Sequence, residues 1–118
     1  MAKHLKLGNR GEQLAKLHLE NSGYEILDEN WSHKKAEVDL IAYKAKKIIF
    51  VVVKSRSSVG FGQPEEFVNE AKQLNLKKAA EEYIYLMNFN GEIRFDIISV
   101  IFDLSGNHSL KHIEDAFW

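Results

Sequence analysis

A chain of 118 residues is the length of one domain, and 45% hydrophobic with 28% charged residues is an ordinary globular balance. The formal net charge of -1 argues against a protein that coats nucleic acid indiscriminately, and the absence of cysteine excludes disulfides and thiolate metal sites. Met1-Ala2-Lys3-His4-Leu5-Lys6 has no apolar run behind it, and the longest apolar stretch, Ile48 to Val53, is far too short to span a bilayer. A single cytoplasmic domain over residues 1–118, with no membrane segment, is therefore expected.

The first element is a helix from Leu5 to Asn21, with Leu7, Leu14, Leu17 and Leu19 as its apolar positions and Gly11 and Ala15 as small ones. Gly23 reads as its stop. Strands follow over Tyr24–Trp31, Ala36–Tyr43 and Lys47–Ser55. The third is a continuous β-branched run, the pattern of a strand covered on both faces. Gly60, Gly62 and Pro64 mark a loop from Ser57 to Pro64. A helical stretch runs from Glu65 to Met87, with Phe67, Ala71, Leu74, Lys78 and Tyr85 at helical spacing, Ala79 and Ala80 beside them, and Asn75 as a point of interruption. Glu92–Asp103 is a long apolar strand, Ser105-Gly106-Asn107 a turn, and Ser109–Ile113 an edge strand open to pairing with a second copy in a homodimer. The order helix, three strands, helix, two strands predicts an α/β fold with a mixed central sheet flanked by helices.

The chemistry concentrates in two segments, Lys35-Ala36-Glu37-Val38-Asp39-Leu40 and Phe50-Val51-Val52-Val53-Lys54. Glu37 and Asp39 are two apart on a strand, which places them on one face. If Ala45-Lys46 is a two-residue hairpin loop, Lys44 faces Lys47, Asp39 faces Val52 and Glu37 faces Lys54, with these side chains together at one end of two neighbouring strands. A carboxylate pair beside a lysine suits phosphodiester hydrolysis: the carboxylates hold Mg²⁺ or Mn²⁺, the cation activates water and polarises phosphate, and the ammonium offsets developing charge. On spacing alone the same residues are better read as a Glu37–Lys54 cross-strand ion pair with Asp39 as a polar strand end.

Other signals are weak. The five histidines lack zinc-site spacing, and Gly60-Phe61-Gly62 is neither a dinucleotide loop nor a P-loop. Gly8 and Gly11 flank the start of the first helix, where close packing accounts for them as well as a bound phosphate does. Trp31 and Trp118 suit burial or base stacking. Local basic clusters occur at Lys3, Lys6 and Arg10, at Lys34 and Lys35, and at Lys44, Lys46 and Lys47.

Several short segments, spread nearly end to end, together resemble one family. They are Gly8-Asn9-Arg10-Gly11-Glu12, Gly23-Tyr24-Glu25-Ile26-Leu27, Asn30-Trp31, Glu37-Val38-Asp39-Leu40-Ile41-Ala42, Phe50-Val51-Val52-Val53-Lys54-Ser55-Arg56, Phe61-Gly62, Lys72-Gln73, Arg94-Phe95-Asp96 and His112-Ile113-Glu114-Asp115-Ala116-Phe117. The family is the YraN-like bacterial family of endonuclease-like proteins. It is similar to the PD-(D/E)xK restriction-endonuclease-like superfamily and, more distantly, to archaeal Holliday-junction resolvases. The resemblance implies a restriction-endonuclease-like fold acting on DNA or RNA, branched or single-stranded, with Mg²⁺ or Mn²⁺. It further implies that Asp39 binds metal, that Lys54 orients or activates water, and that Glu12 is an additional acidic group. Gln73 would sit near the cleft, and Arg10 and Arg56 would hold phosphates.

The chain departs from the family pattern at one position: the acidic residue of the third-strand Glu-x-Lys motif is Val52. Valine cannot ligate a cation, and a hard cation with few protein carboxylates depends on each of them. Either a degenerate nuclease still binds nucleic acid, or Glu37 or Glu12 replaces the missing ligand, or Val52 is a variant of this chain, one base from a glutamate codon. The expected function is nucleic-acid binding with metal-dependent cleavage weakened or lost. An active nuclease with a replacement ligand is the second reading, and a protein-interaction module on a degenerate nuclease fold is the third.

Overall fold

The computed structural model describes residues 3–57 and 68–117. Helix α1 spans Lys3–Asn21, strands β1, β2 and β3 span Glu25–His33, Ala36–Lys44 and Lys47–Ser57, helix α2 spans Glu70–Leu86, and strands β4 and β5 span Glu92–Phe102 and His108–Ile113. The five strands form one sheet in the order β1-β2-β3-β4-β5. Only the β3–β4 pair is parallel; the other neighbours are antiparallel. The expected α/β architecture and element order are those observed. Among the described residues no helix is long and apolar enough to cross a membrane.

Among the described residues each sheet face carries one helix. Ile48, Phe50 and Val52 of β3 point, with Phe95 and Ile97 of β4, toward Leu76, Ala79, Ala80 and Tyr83 of α2. Ile49 and Val51 point the other way, with Ile98, Val100 and Phe102, toward Ala15 and Leu19 of α1. Both faces of β3 are thus buried, as its unbroken β-branched run requires.

Helix α1 packs through Gly11, Ala15 and Leu19, four residues apart, with Leu14 partly buried beside them. Leu17, expected on the apolar face, is exposed, because it lies on the opposite side of the helix from Ala15. Gly11 has a packing role: a Cβ there would meet the Ser55 side chain, which would have to turn aside for the helix to keep this approach to β3. The helix ends as expected, with Gly23 at φ 89° and the Tyr24 N–H donating to the Leu19 carbonyl.

Helix α2 differs from the sequence expectation in three ways. Its described start is Glu70, not Glu65; Asn69 is the N-cap and accepts from the Lys72 N–H at 2.9 Å, while Pro64 to Phe67 lie outside the described residues. The helix runs through Asn75 without interruption. Its buried stripe is Leu76, Ala79, Ala80 and Tyr83, whereas Leu74 and Tyr85 are exposed. The small pair Ala79-Ala80 lets the helix lie close on the sheet, and that contact sets the rotation, overriding the larger side chains counted from sequence.

The β2–β3 hairpin closes through Ala45 and Lys46, both at positive φ (53° and 65°), and Lys44 faces Lys47 as expected. At the other side of the sheet, Asp96 of β4 is fully buried. Arg94 grips it with two hydrogen bonds, Nε to Oδ1 and Nη2 to Oδ2, each 2.8 Å. His112 Nε2 lies 2.7 Å from Oδ2, and the Asp115 N–H donates to Oδ1 at 3.0 Å. On its far side, His112 Nδ1 meets His18 Nε2 of α1 at 3.1 Å. One carboxylate thereby ties together β4, β5, the end of α1 and the residues after β5.

Burial alone raises the Asp96 pKa, but the hydrogen bonds from His112 and Arg94 more than reverse this and hold it below its ordinary 3.8. Asp96→Ala is expected to cost about 3–5 kcal/mol, because it removes the carboxylate that Arg94 grips twice and leaves Arg94 with the Tyr24 hydroxyl and the more distant Glu114, at 3.7 Å. Since the folded-state pKa is lowered, the ionised carboxylate's contribution is present at neutral pH and is lost as pH falls below 3.8 through the lower folded value. Urea unfolding from pH 7 to pH 2 checks this: the wild-type midpoint should fall steeply at the acid end, and that of Asp96→Asn much less.

Candidate phosphate-binding site around Asp39

The sheet carries a defect at one rung. Val38 and Ile41 of β2 both pack on the α2 side while Leu40 packs on the α1 side, so the alternation of the strand slips at Asp39. On β1 the same happens: Glu29 pairs with Lys16 of α1, while Trp31 packs on the α2 side. Asn30 between them, opposite Asp39, sits at φ 52°, a left-handed conformation that asparagine tolerates better than most residues.

Beyond this rung the pairing of β2 with β3 stops. The register runs from Lys44↔Lys47 to Leu40↔Val51 and no further. The Asp39 side chain takes over the backbone's role, its Oδ2 accepting the Val53 N–H at 2.7 Å. The expected rungs Asp39–Val52 and Glu37–Lys54 are therefore not formed, and Glu37 and Lys54 make no ion pair: the strands separate where a carboxylate is wedged between them.

Three elements converge on this opening. Glu12 reaches Asp39 from α1, close to Glu37 and Asn30; burial and then the two carboxylates raise its pKa from 4.5 to about 7. Asp39 is raised by burial and by Glu37, against the Val53 N–H and the positive charges of Lys72 and Lys54. From the α2 side, Lys54 lies beside Lys72 and near Arg56; burial and then these cations lower its pKa from 10.5 to about 8. Carboxylates thus gather on one side of Asp39 and cations on the other.

The predicted residues divide accordingly. Asp39, Lys54, Glu12 and Glu37 are brought together, and Arg56 lies near Lys54 with its Nη1 donating to the Ser55 carbonyl at 2.9 Å. Arg10 is not: its Nη2 donates to the Gly106 carbonyl at 3.1 Å and its guanidinium stacks on Phe102, so it clamps the β4–β5 turn. Gln73 is not in the cluster either; its amide turns back to donate to the Val68 carbonyl at 2.9 Å, and it lines a cavity with Ile97, Lys111 and Ile113. Lys72 and Asn30 take part instead. Lys72 adjoins Gln73 in the sequence, and its side chain lies beside Lys54. Phe61-Gly62 and Trp118 lie outside the described residues.

A Mg²⁺ or Mn²⁺ ion needs convergent oxygen ligands. Among the described residues no three His, Cys, Asp or Glu side chains are placed to hold a metal. Val52, at the motif's acidic position, is 3% exposed in the apolar core. One Asp39 oxygen already accepts the Val53 N–H. The described residues alone do not make up a complete cation site.

Residues 11–100 match the model of Uncharacterised protein family UPF0102. The chain belongs to UPF0102. A UPF0102 protein of Flavobacterium psychrophilum is 45% identical over all of this chain and 98% of its own length. UPF0102 proteins of Christiangramia forsetii (42% identical, 98% of its length) and Bacteroides thetaiotaomicron (41%, 97%) also match the whole chain. The YraN-like resemblance carried by the sequence segments is that of UPF0102.

Glu12's raised pKa has a sign that can be measured. A carboxyl titrating higher in the folded state than in the unfolded one stabilises the fold less as pH rises from 4.5 through about 7. Wild-type stability should decline across that window, and Glu12→Gln should flatten the decline. Thermal unfolding of both chains at pH 5 and pH 8 checks this; parallel shifts in the two chains would show that Glu12 does not face Asp39 in solution.

Proposed function

We propose that this UPF0102 protein binds the phosphate backbone of DNA or RNA at the Asp39–Lys54 opening, preferring single-stranded or branched forms, and that metal-dependent phosphodiester cleavage is weakened or lost because Val52 replaces the motif's acid. The observation that carries this reading is the convergence of Lys54 and Lys72 beside Asp39, with Arg56 near Lys54, at the point where β2 and β3 part. Ammonium and guanidinium groups at a strand opening suit phosphate oxygens, and their mutual repulsion is relieved by a bound anion.

One observation favours a second reading, an active Mg²⁺- or Mn²⁺-dependent nuclease: Glu12 faces Asp39 from α1, with Glu37 near, and either is a candidate replacement ligand. The interaction-module reading has less support, since its expected sign, a buried Asp39–Lys54 ion pair, is absent among the described residues; Asp39 accepts the Val53 N–H and Lys54 lies beside Lys72.

The test is cleavage of labelled single-stranded and branched DNA and RNA with Mn²⁺ or Mg²⁺, together with binding at low and high salt. The chain should bind in a salt-sensitive way and cut weakly or not at all. Val52→Glu should gain cleavage, at some loss of stability from burying a carboxylate, and a further Asp39→Ala should abolish it. Cleavage by the unmodified chain, lost in Glu12→Gln, would establish the second reading. No binding to any substrate at low salt would overturn both.

A further inference from the structure

The two-residue turn between His33 and Ala36 presents Lys34 and Lys35 to solvent, with Lys34 at φ 55°. These residues, with His33, face Asn75 and Lys78 of α2 across an open cavity of about 280 Å³. Among the described residues no acidic side chain lines it. The cavity beside Arg94, by contrast, carries Glu92 and Asp115, and the one beside His18 carries Glu114. Among the described residues Lys34, Lys35 and Lys78 are in no ion pair, whereas Lys16, Lys47 and Arg94 are paired with carboxylates. A concave surface with several uncompensated ammonium groups is a place for a multiply oxygenated anion.

The cavity lies on the α2 side of the sheet, as Lys54 and Lys72 at the Asp39 opening do. Lys72, Asn75 and Lys78 follow one another three residues apart, a row of neighbours that winds from the sheet-facing side of α2 toward its exposed side. The row spans roughly 9 Å at the helical rise. Along β2, Ala36 in the cavity wall and Asp39 in the opening are separated by roughly 10 Å at the strand rise. Helix and strand thus lead over the same distance from one place to the other, with Lys72 at the opening and Lys78 in the cavity.

We propose that the cavity between the β1–β2 turn and α2 is a second phosphate subsite, in which Lys34, Lys35 and Lys78 hold a nucleic-acid backbone whose neighbouring phosphates lie along Lys72 and Asn75 toward the Asp39–Lys54 opening. The inference rests on the nucleic-acid reading above and adds a direction to it: the strand leaves the opening along α2 toward the turn, away from Arg10 and the β4–β5 end of the sheet. The ligand chemistry is the phosphodiester backbone, common to DNA and RNA.

The experiment uses the full chain and fluorescence anisotropy with a labelled single-stranded DNA oligonucleotide, and with an RNA of the same sequence, over a series of salt concentrations. Lys34→Gln with Lys35→Gln should weaken binding about tenfold at low salt. It should also flatten the dependence of log affinity on log salt by about 0.7 for each phosphate that is no longer neutralised. Lys46→Gln, at the exposed turn on the opposite end of the sheet, should change neither. Equal behaviour of the Lys34/Lys35 and Lys46 variants would overturn the subsite, even while Lys54→Gln with Lys72→Gln lowers affinity and upholds the primary reading. Failure of the unmodified chain to bind either oligonucleotide would overturn both. Loss of DNA binding alone, or of RNA binding alone, in the Lys34/Lys35 variant would support the subsite and name its substrate.

Discussion

The bond from the Val53 N–H to Asp39 Oδ2 is the constraint on which the candidate site depends. A central strand whose neighbour leaves it must find another acceptor for each buried N–H or lose the free energy of an unmade hydrogen bond. Asp39 meets that demand with its side chain, so β2 can diverge from β3 without an orphaned donor. The divergence exposes the end of β3, where Lys54 and Arg56 stand, to the solvent between the sheet and α2. Asn30 on β1 absorbs the corresponding kink with its left-handed backbone. Opening and polar cluster thus have one cause.

The fold was largely legible because period, turn residues and apolar runs report local structure. The all-buried character of Ile48–Val52, the stop at Gly23 and the Lys44–Lys47 rung needed nothing beyond neighbours in sequence. The rotation of α2 was not legible: Phe67, Leu74 and Tyr85 made a plausible stripe, but the close approach permitted by Ala79 and Ala80 decided the face. The site was legible in its residue types and not in its geometry. A strict period of two predicts Glu37 opposite Lys54, and no count along the chain shows that the ladder ends at Leu40. Arg10 and Gln73 failed for a related reason: their partners, the carbonyls of Gly106 and Val68, are backbone atoms that leave no mark in a residue pattern.

A net charge of -1 conceals a strong segregation. At the β4–β5 side, Arg94 is spent on Asp96, and Lys44 on the Ser22 carbonyl and the Tyr24 ring. On the α2 side, Lys34, Lys35 and Lys78 have no carboxylate partner among the described residues, and Lys72 crowds Lys54. The charge that a polyanion meets is that of the face it approaches, since charges farther off than about a Debye length are screened. Bulk charge counted against nucleic-acid binding for that reason only weakly.

The single parallel pairing has a consequence for how the protein is made. Strands β1, β2 and β3 are joined by two-residue turns and form a meander from contacts close in sequence. The β3–β4 ladder instead joins Lys47 to Glu92 and continues to Ser57 and Phe102, so it closes only after the whole of α2 has been placed. Contacts so distant in sequence slow folding, because the entropy of the intervening chain is lost before the pairing is gained. Asp39 and the Lys34–Lys35 turn belong to the early meander, while Lys54 and Arg56 are fixed opposite Ser99 and Ile101 by the late closure. The two parts of the polar surface therefore depend on different pairings, one local and one spanning the whole of α2, and a nascent chain carries its separate halves before it carries the whole.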